Sequence, residues 1–579
     1  GAFYTFKYDI TKLLVFGKAN VLEVKVAKHS TNKSVNAAER EGDFWVFGGI
    51  FRPVFLEIMP TNHIERVSFD AKADGSLQVK MRTVGRSDKA VIQLYTHDGQ
   101  TFGQPVHVDV HHGEGHGQGE FERPKLWSAE FPNLYRAEVT LFANGKQQHR
   151  SNHKIGFRTV EVRKRDGVYI NGTKIKFKGV NRHSFHPESG RTTSKALSVH
   201  DVELIKEMNM NAVRMAHYPP DTHFLDVCDS LGLYVMNELG GWHGHYDTPT
   251  GTKLVKEMMV VSENNPSVIF WANGNEGGHN PELDTTFFSE DLQGRPLIYP
   301  WAVYGGFETT HYREYNYGIG TYDHGHNIVM PTEFLHGMFD GGHGAGIEDY
   351  WKAMWSNPLS AGGFLWDFQD QGIVRTDKGN MLDTDGNRGA DGIVGPYYER
   401  EGSFYTIKEV WSPVFFEKRE MTPDFNGEFI IENRYAFTNL ADCSFSYVLR
   451  RLDAKHASDN GPTVRIPSPD IKPGDRGRLK VNLPSDWYSF DVLQITAADV
   501  YGKEIYTWSF PIALPGRVAE TFKEKRGTTV QTQETATTFH VNANGIQYAF
   551  NKETGVLKSV ENAKGIIPFG NGPILQEAV

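Results

Sequence analysis

From about residue 159 to about 417 the chain repeats one pattern. A short apolar run ends in polar or aromatic residues and gives way to helix-like text. The runs are KFKGV (176–180), NAVRM (211–215), LYVMNE (233–238), VIFWA (268–272), PLIYP (296–300), NIVMP (327–331) and GGFLW (362–366), with a weak one near Ile319–Tyr322. Ser198-Val-His-Asp201 reads as a helix start with Ser198 as N-cap, and DTHFLDVCDSLG as a helix closed by Gly232. Strand and helix in alternation call for a parallel sheet. Eight such units in roughly 250 residues predict a (β/α)8 barrel.

The flanking text is all β. Residues 1–57 show period-2 alternation in YTFKYDI, NVLEVKVAKH and FWVFGGIFRPVFLEI, which predicts strands. Residues 58–158 continue in the same way, with an Asn144-Gly145 hairpin turn, and predict a sandwich. A second sandwich is expected over 418–518. TFHVNANGIQYAFNKETGVLKSV then opens a further β domain within 519–579. The expected fold is therefore a central α/β barrel between all-β units.

Chemistry gathers at the barrel's strand ends, where enzymes of this architecture place their catalytic groups. Asn181-Arg182-His183 follow the first run. Arg214 and His217 follow the second and Glu238 the third. Asn275-Glu276, Glu333 with His336, and Trp366-Asp367 follow later ones. Glu276 ends the fourth strand and Glu333 the seventh, nearly opposite in an eight-membered ring. Two carboxyls converging on one cavity suggest glycoside hydrolysis, one as general acid, the other as nucleophile or base. Like charges in one pocket push their pKa values apart. The bland alternatives are surface glutamates, core histidines and a core tryptophan. His243-Gly-His245 is a weak metal pair, because no carboxylate stands at a fixed spacing from it.

Composition excludes other classes. The 579-residue chain carries a net charge of −10 and has no Lys/Arg block, so a nucleic-acid footprint is missing. No run of ~18 apolar residues reads as a membrane span. Cys228 and Cys443 form no recognisable disulfide or CxxC pattern. The first residues are already strand-like, with no initiator Met or signal segment. Both ends are expected to be cut from a longer protein, which leaves localisation open between cytoplasm and periplasm.

Co-linear motifs add a resemblance. They are Asp43-Phe-Trp-Val-Phe-Gly-Gly-Ile-Phe-Arg-Pro53, Ile155-Gly-Phe-Arg158, Gly179-Val-Asn-Arg-His183, Asn211-Ala-Val-Arg214, His217-Tyr-Pro219, Asn265-Pro-Ser-Val-Ile269, Gly274-Asn-Glu276 and Gly362-Gly-Phe-Leu-Trp-Asp-Phe-Gln-Asp-Gln371. Together they resemble glycoside hydrolase family 2, and its β-galactosidases most. The resemblance implies a jelly roll ending within 1–57, immunoglobulin-like sandwiches on either side of the barrel, and a retaining exo-hydrolase that removes terminal β-galactose or modified galactose through a covalent glycosyl-enzyme and can form homo-oligomers. It implies Glu276 as acid/base and Glu333 as nucleophile. Arg214 would orient Glu333, and Asn275 would hold the sugar 2-hydroxyl. His183, His217 and His336 would bond the sugar, Trp366 would form its floor, and Asp43 would reach its far hydroxyls. No cofactor is required, but the family binds magnesium and sodium. Here the magnesium segment reads Glu238-Leu-Gly-Gly-Trp-His-Gly-His245 and lacks the family's second carboxylate. Ala390-Asp391-Gly392 replaces Met-Asn-Gly near the sugar's 6-position, and an acid there disfavours an acidic sugar. The alternatives are a glucosidic, mannosidic, fucosidic or glucuronidic activity on the same scaffold, or a non-catalytic carbohydrate binder.

Overall fold

The structure, a computed structural model, describes residues 1–313, 326–338, 342–419, 421, 425–452, 460–512, 519 and 529–569. Residues 1–62 hold one helix, α1 (Lys33–Arg40), and no strand. The strands expected over 1–57 therefore do not form. Their alternating residues, such as Val21, Leu22, Val24 and Val26, lie exposed. A strand needs a neighbour to take its N–H and C=O groups, and no neighbouring strand stands beside this segment. Parts of it are nevertheless anchored. Phe3 stacks on Tyr218 with ring centroids 4.2 Å apart. Glu39 accepts hydrogen bonds from Tyr246 (2.6 Å) and from the Ala2 amide (2.7 Å). The Trp45 indole donates to the Gln371 carbonyl at 2.5 Å.

The next unit is one antiparallel sheet of seven strands: β1 (His63–Ala71), β2 (Ser76–Val84), β3 (Lys89–Tyr95), β4 (Thr101–His111), β5 (Glu114–Glu120), β6 (Tyr135–Ala143) and β7 (Lys146–Ile155). Their spatial order is β1-β2-β5-β4-β3-β6-β7. The outermost strands, β1 and β7, touch, so the sheet curls around a core that includes Val79, Ile92, Val108 and Val139. Arg158 fastens this unit to the barrel. Its guanidinium donates to the carbonyls of Pro266 (2.5 Å) and Val268 (2.9 Å). A hairpin of β8 (Val160–Arg163), β9 (Gly167–Ile170) and β10 (Thr173–Ile175) leads into the barrel floor.

The barrel begins with β11 (Phe177–Arg182), β12 (Ala212–Met215), β13 (Tyr234–Trp242), β14 (Val268–Asn275) and β15 (Leu297–Ile298), all parallel. A short hairpin of β16 (Val303–Tyr304) and β17 (Phe307–Glu308) follows, and β17 pairs parallel with β18 (Ile328–Val329). β19 (Gly362–Leu365) pairs with β11, so the ladders form a six-stranded sheet and a separate three-stranded one, joined near β18 and β19, among the described residues, only by the isolated bridges Val329–Ser360 and Phe334–Leu365. One buried cluster draws on all eight staves: Phe177, Ala212, Met236, Phe270, Ile298, Phe307, Ile328 and Phe364. The sixth stave is thus β17. Residues 319–322, where a weak strand was expected, lie outside the described residues. The helices α2 (Lys195–Glu207), α3 (Thr222–Leu231), α4 (Thr248–Ser262), α5 (Asp284–Glu290), α6 (Ile347–Ser356) and α7 (Gly402–Val410) fall between and after these staves. α3 ends at Gly232, whose φ of 80° is the left-handed cap. α2 starts a turn earlier than Ser198. Ser194 is its N-cap, accepting from the Leu197 amide, while Ser198 bonds the His223 ring. Both serines precede apolar helix text, and the chemically equivalent earlier one caps.

After the barrel, a three-stranded sheet (Val414–Phe416, Glu428–Asn433, Arg476–Lys480) faces a four-stranded one (Val464–Ile466, Ser444–Arg450, Val492–Ala498, Glu504–Pro511) across a shared core. A five-stranded antiparallel sheet spans Gln531–Ile567. Cys228 and Cys443 are buried and free. Among the described residues no helix is long and apolar enough to cross a membrane.

The two flanking β units meet at Glu130. Its carboxylate accepts from the amides of Ala436 (2.7 Å), Phe437 (3.0 Å) and Thr438 (2.8 Å), and from the Thr438 hydroxyl (2.7 Å). Glu130→Ala leaves three amides without an acceptor at a half-buried contact, at a cost of about 2 kcal/mol. The expected result is a fall in the lowest thermal transition on calorimetry, with Glu130→Gln in between.

Candidate active site

At the C-terminal end of the ring the centre is Arg214, fully buried on β12. A guanidinium has five N–H donors, and here all five are used. Nε and Nη2 reach the two oxygens of Glu238 at 2.7 and 3.0 Å. Nη1 reaches Asn181 Oδ1 at 3.0 Å and Glu333 Oε1 at 2.8 Å, and Nη2 also reaches Asn275 Oδ1 at 2.7 Å. Residues from β11, β13, β14 and the segment after β18 are thereby held to one cation. Burial pulls the Arg214 pKa down, but Glu238 and Glu333 more than offset it and the net shift is upward.

Glu333 is buried. Its second oxygen accepts from the Tyr312 hydroxyl. Burial pushes Glu333 up to about 8, against the pull of Arg214, while Glu276 adds to the rise. Glu276 lies nearer solvent, its side chain 11% exposed. Burial raises its pKa too, opposed by Arg214 and His243. One oxygen of each acid and a ring nitrogen of His311 lie within 4.8 Å of one another. His311 Nδ1 is 2.8 Å from Glu276 Oε1 and 3.3 Å from Glu333 Oε2, and its Nε2 is held by the Thr332 hydroxyl at 2.8 Å. Burial holds His311 well below the usual imidazole range, so it is neutral.

The backbone at the end of β14 places Glu276. Gly274 has φ 70°, and a Cβ there would stand 2.0 Å from the Gly278 carbonyl oxygen, so only glycine fits. Glu276 itself takes φ 46°. The turn lifts the side chain out of the ladder and over the mouth.

The wall opposite is Trp366. Its indole lies parallel to His217, centroids 5.1 Å apart and planes 9° from parallel, and edge-on to His183 at 5.5 Å. The indole N–H donates to Asp391 Oδ2 at 2.8 Å. His336 stands 3.8 Å from the same oxygen and 6.2 Å, centroid to centroid, from the indole. His183 bonds Tyr218 through Nδ1, and its buried Nε2 has no hydrogen-bond partner among the described residues; nor has Asn275 Nδ2. Burial holds His183 and His217 neutral and lowers His336 to about 4. Asp43 is exposed at the rim, next to the buried Phe44, which packs against His183 and His217. Burial raises the pKa of both Glu276 and Asp391, and the field of Asp43 adds a smaller rise to each.

The ten residues singled out from the sequence form one group at this end of the ring, nine through the contacts above and Asp43 at its edge beside Phe44. Glu238, Asn181, His311 and Tyr312 belong to it as well. Glu238 and Asn181 are visible as polar strand ends. His311 and Tyr312 follow β17, whose two residues leave no apolar run to read.

Three places offer donors of the kind that cations take. In 238–245 the only carboxylate, Glu238, gives both oxygens to Arg214, and the His243 ring is bonded to the Glu276 carbonyl at 2.8 Å. That set does not fit magnesium. At Trp366, Asp391 Oδ1 and Asp367 Oδ1 are buried and unpaired among the described residues. Such hard oxygen donors suit an alkali or alkaline-earth ion. The Glu276–His311–Glu333 group has ligand-like spacing, but the cation beside Glu333 is already Arg214.

The family model described as "Glycosyl hydrolases family 2, TIM barrel domain" matches residues 160–290, and "Glycosyl hydrolases family 2" matches 62–158. A β-galactosidase of Lactococcus lactis subsp. lactis is 30% identical over 489 residues, covering 76% of this chain and 47% of that protein. One from Priestia megaterium is 29% identical over 517 residues, 78% of this chain and 48% of that protein. The chain therefore spans about half the length of these relatives. In fold it is similar to a glycosyl hydrolase family 2 member from Bacteroides cellulosilyticus (TM-score 0.57, 18% identity, 96% of this chain and 75% of that one). It is similar in the same way to the Parabacteroides merdae β-glucuronidase (TM-score 0.56, 16% identity, 89% of this chain and 72% of that one). With family matches on both the first sandwich and the barrel, and a buried acid pair at the barrel mouth, the chain belongs to glycoside hydrolase family 2 and is β-galactosidase-like.

Proposed function

We propose that this chain carries the catalytic centre of a retaining, exo-acting β-galactosidase. The observation that carries the reading is the approach of Glu276 and Glu333 to within 4.8 Å through one oxygen each. Separations of about 5–5.5 Å between the carboxyl groups belong to retention, and wider ones leave room for the water of inversion.

Two acids beside one guanidinium hold a shared proton near neutrality. Arg214 and Tyr312 both donate to Glu333, so the negative charge is best placed there. Glu276 has no cation in hydrogen-bonding contact and keeps the proton. In the first step Glu333 attacks the anomeric carbon, the bond to the leaving oxygen breaks, and Glu276 protonates that oxygen. In the second, Glu276 takes a proton from water, the water oxygen bonds the anomeric carbon, and Glu333 is released. Asn275 Nδ2, buried and without a partner among the described residues, would donate to the 2-hydroxyl, a contact that counts most as charge develops on the ring. Trp366 offers the floor for the sugar's apolar face, while His183, His217 and His336 offer ring nitrogens around it. Asp391 and Asp367 would hold an alkali-type cation, which when bound would neutralise them and offer a position to a sugar hydroxyl. Oxygen acceptors at Asp43, Asp367 and Asp391 suit the hydroxyls of a neutral galactoside better than a uronic carboxylate. A pure binding protein has no use for two adjacent carboxyls of raised pKa.

Glu333→Gln is expected to lower kcat for an aryl β-galactoside by at least about 10^3-fold without unfolding the chain. The same variant has a stability signature. The acid pair, with Glu333 raised from 4.5 to about 8 and Glu276 raised as well, keeps one proton, resting on Glu276, that the unfolded chain has lost. Stability therefore falls as pH rises through that window. Melting curves should show Glu333→Gln gaining on the wild type from about pH 4.5 to about pH 8.

Glu276→Ala tests the other role. Hydrolysis of galactosides with poor leaving groups should fall by about 10^2-fold or more, and that of a dinitrophenyl galactoside much less. A 2-fluoro galactoside should label Glu333, as peptide mass mapping would show; labelling elsewhere refutes the assignment.

A further inference from the structure

The proton on the His311 ring is placed by groups outside the acid pair. Its Nε2 is 2.8 Å from the Thr332 hydroxyl, and that hydroxyl donates to the Thr309 carbonyl at 3.3 Å. A hydroxyl has one proton to give. With it spent on Thr309, the Thr332 oxygen is an acceptor, and Nε2 carries the hydrogen of the 2.8 Å contact. The ring is neutral because it is buried, and Arg214, His217 and His279 act in the same direction. A neutral imidazole has a single N–H, so Nδ1 is a bare lone pair. That nitrogen faces the acids, 2.8 Å from Glu276 Oε1 and 3.3 Å from Glu333 Oε2. Trp301 stacks on the ring with centroids 5.2 Å apart, and Tyr312 meets it edge-on at 5.7 Å, so its plane is fixed.

A lone pair and a carboxylate oxygen repel, so a contact of 2.8 Å between them needs a proton in the middle. Arg214 and Tyr312 donate to Glu333 and hold the negative charge there. The proton is then on Glu276. We propose that His311 is a positioning residue that, as the Nε2–H tautomer, accepts the Glu276 proton on Nδ1 and keeps this group an acid until a leaving oxygen takes the proton. This rests on the glycosidase reading. As the glycosidic bond breaks, the leaving oxygen gains charge, becomes the stronger acceptor and draws the proton from Glu276 Oε1. The carboxylate left behind faces the lone pair at close range. That contact favours its recovery of a proton from water in the second step. One nitrogen thus serves both half-reactions, and Thr332 sets its state from behind the ring. The other titratable groups around the two side chains are Arg214, His217, Glu238, His243, His279, Tyr312, Glu333 and, at the rim, Asp43. A substitution at Thr332 replaces none of them.

The test reads the ring itself. Nitrogen NMR of the chain labelled in its histidine rings, at pH 7, isolates His311 by difference from His311→Gln. Nε2 protonated with Nδ1 bare is the expected result; a proton on Nδ1, alone or together with Nε2, overturns the proposal. Thr332→Val leaves Nε2 without an acceptor, so the two nitrogens should exchange states, and Thr332→Ser should restore them. In Thr332→Val the Nδ1–H then donates to Glu276 and favours its carboxylate. The basic limb of kcat/KM for a galactoside with a poor leaving group follows the Glu276 proton in the free enzyme. It should move down by about one pH unit in Thr332→Val and return in Thr332→Ser. A loss of rate at every pH with the limb unmoved means that the ring and the hydroxyl only pack, and overturns the proposal. A wild type that cleaves no galactoside overturns the galactosidase reading instead, and the ring spectra then decide on His311 by themselves.

Discussion

The site is organised by one buried cation. Arg214 has no water to solvate it, so each of its donors must find an acceptor in the protein. The acceptors come from four separate stretches of chain, at Asn181, Glu238, Asn275 and Glu333. Removing any one of them strands an N–H in the interior, so the four are mutually fixed. The same contacts set the electrostatics. A single positive charge faces two carboxylates directly and a third nearby, and that imbalance keeps a proton in the cavity at neutral pH.

Much of this could be read from the sequence because barrel strands are short, wholly buried and followed at once by functional residues. β14 is the clearest case: eight buried residues, then Glu276. Other parts were illegible for identifiable reasons. β17 is two residues long, and its stave is defined by partners rather than by its own apolarity, so His311 and Tyr312 carried no local signal. Residues 1–57 show the opposite failure. Alternation predicts which faces a strand would have, but a strand exists only where another supplies its ladder. The α2 cap failed on degeneracy, since Ser194 and Ser198 offer the same chemistry four residues apart.

The first sixty residues still matter to the cavity. Phe44 packs on His183 and His217, and Arg52 donates to the carbonyls of Phe3 and Pro219. The barrel's mouth is therefore completed by chain that lies outside the barrel. A residue such as Asp43 can tune two acids without touching either, because field effects in a poorly solvated pocket reach further than hydrogen bonds.

The ring is not equally strong around its circumference. The arc from β11 to β14 is built of strands of four to nine residues, whereas β15, β17 and β18 have two residues each. Arg214, Glu238 and Asn275 stand on the first arc; His311, Tyr312 and Glu333 hang from the second. Arg214 and Glu333 thus sit on opposite banks of a seam, one built of long strands and one of short. Local opening draws on the regions with the fewest buried backbone hydrogen bonds. On warming, the seam gives way before the sheet does, and the enzyme loses its counter-ion contact while most of its secondary structure is still intact.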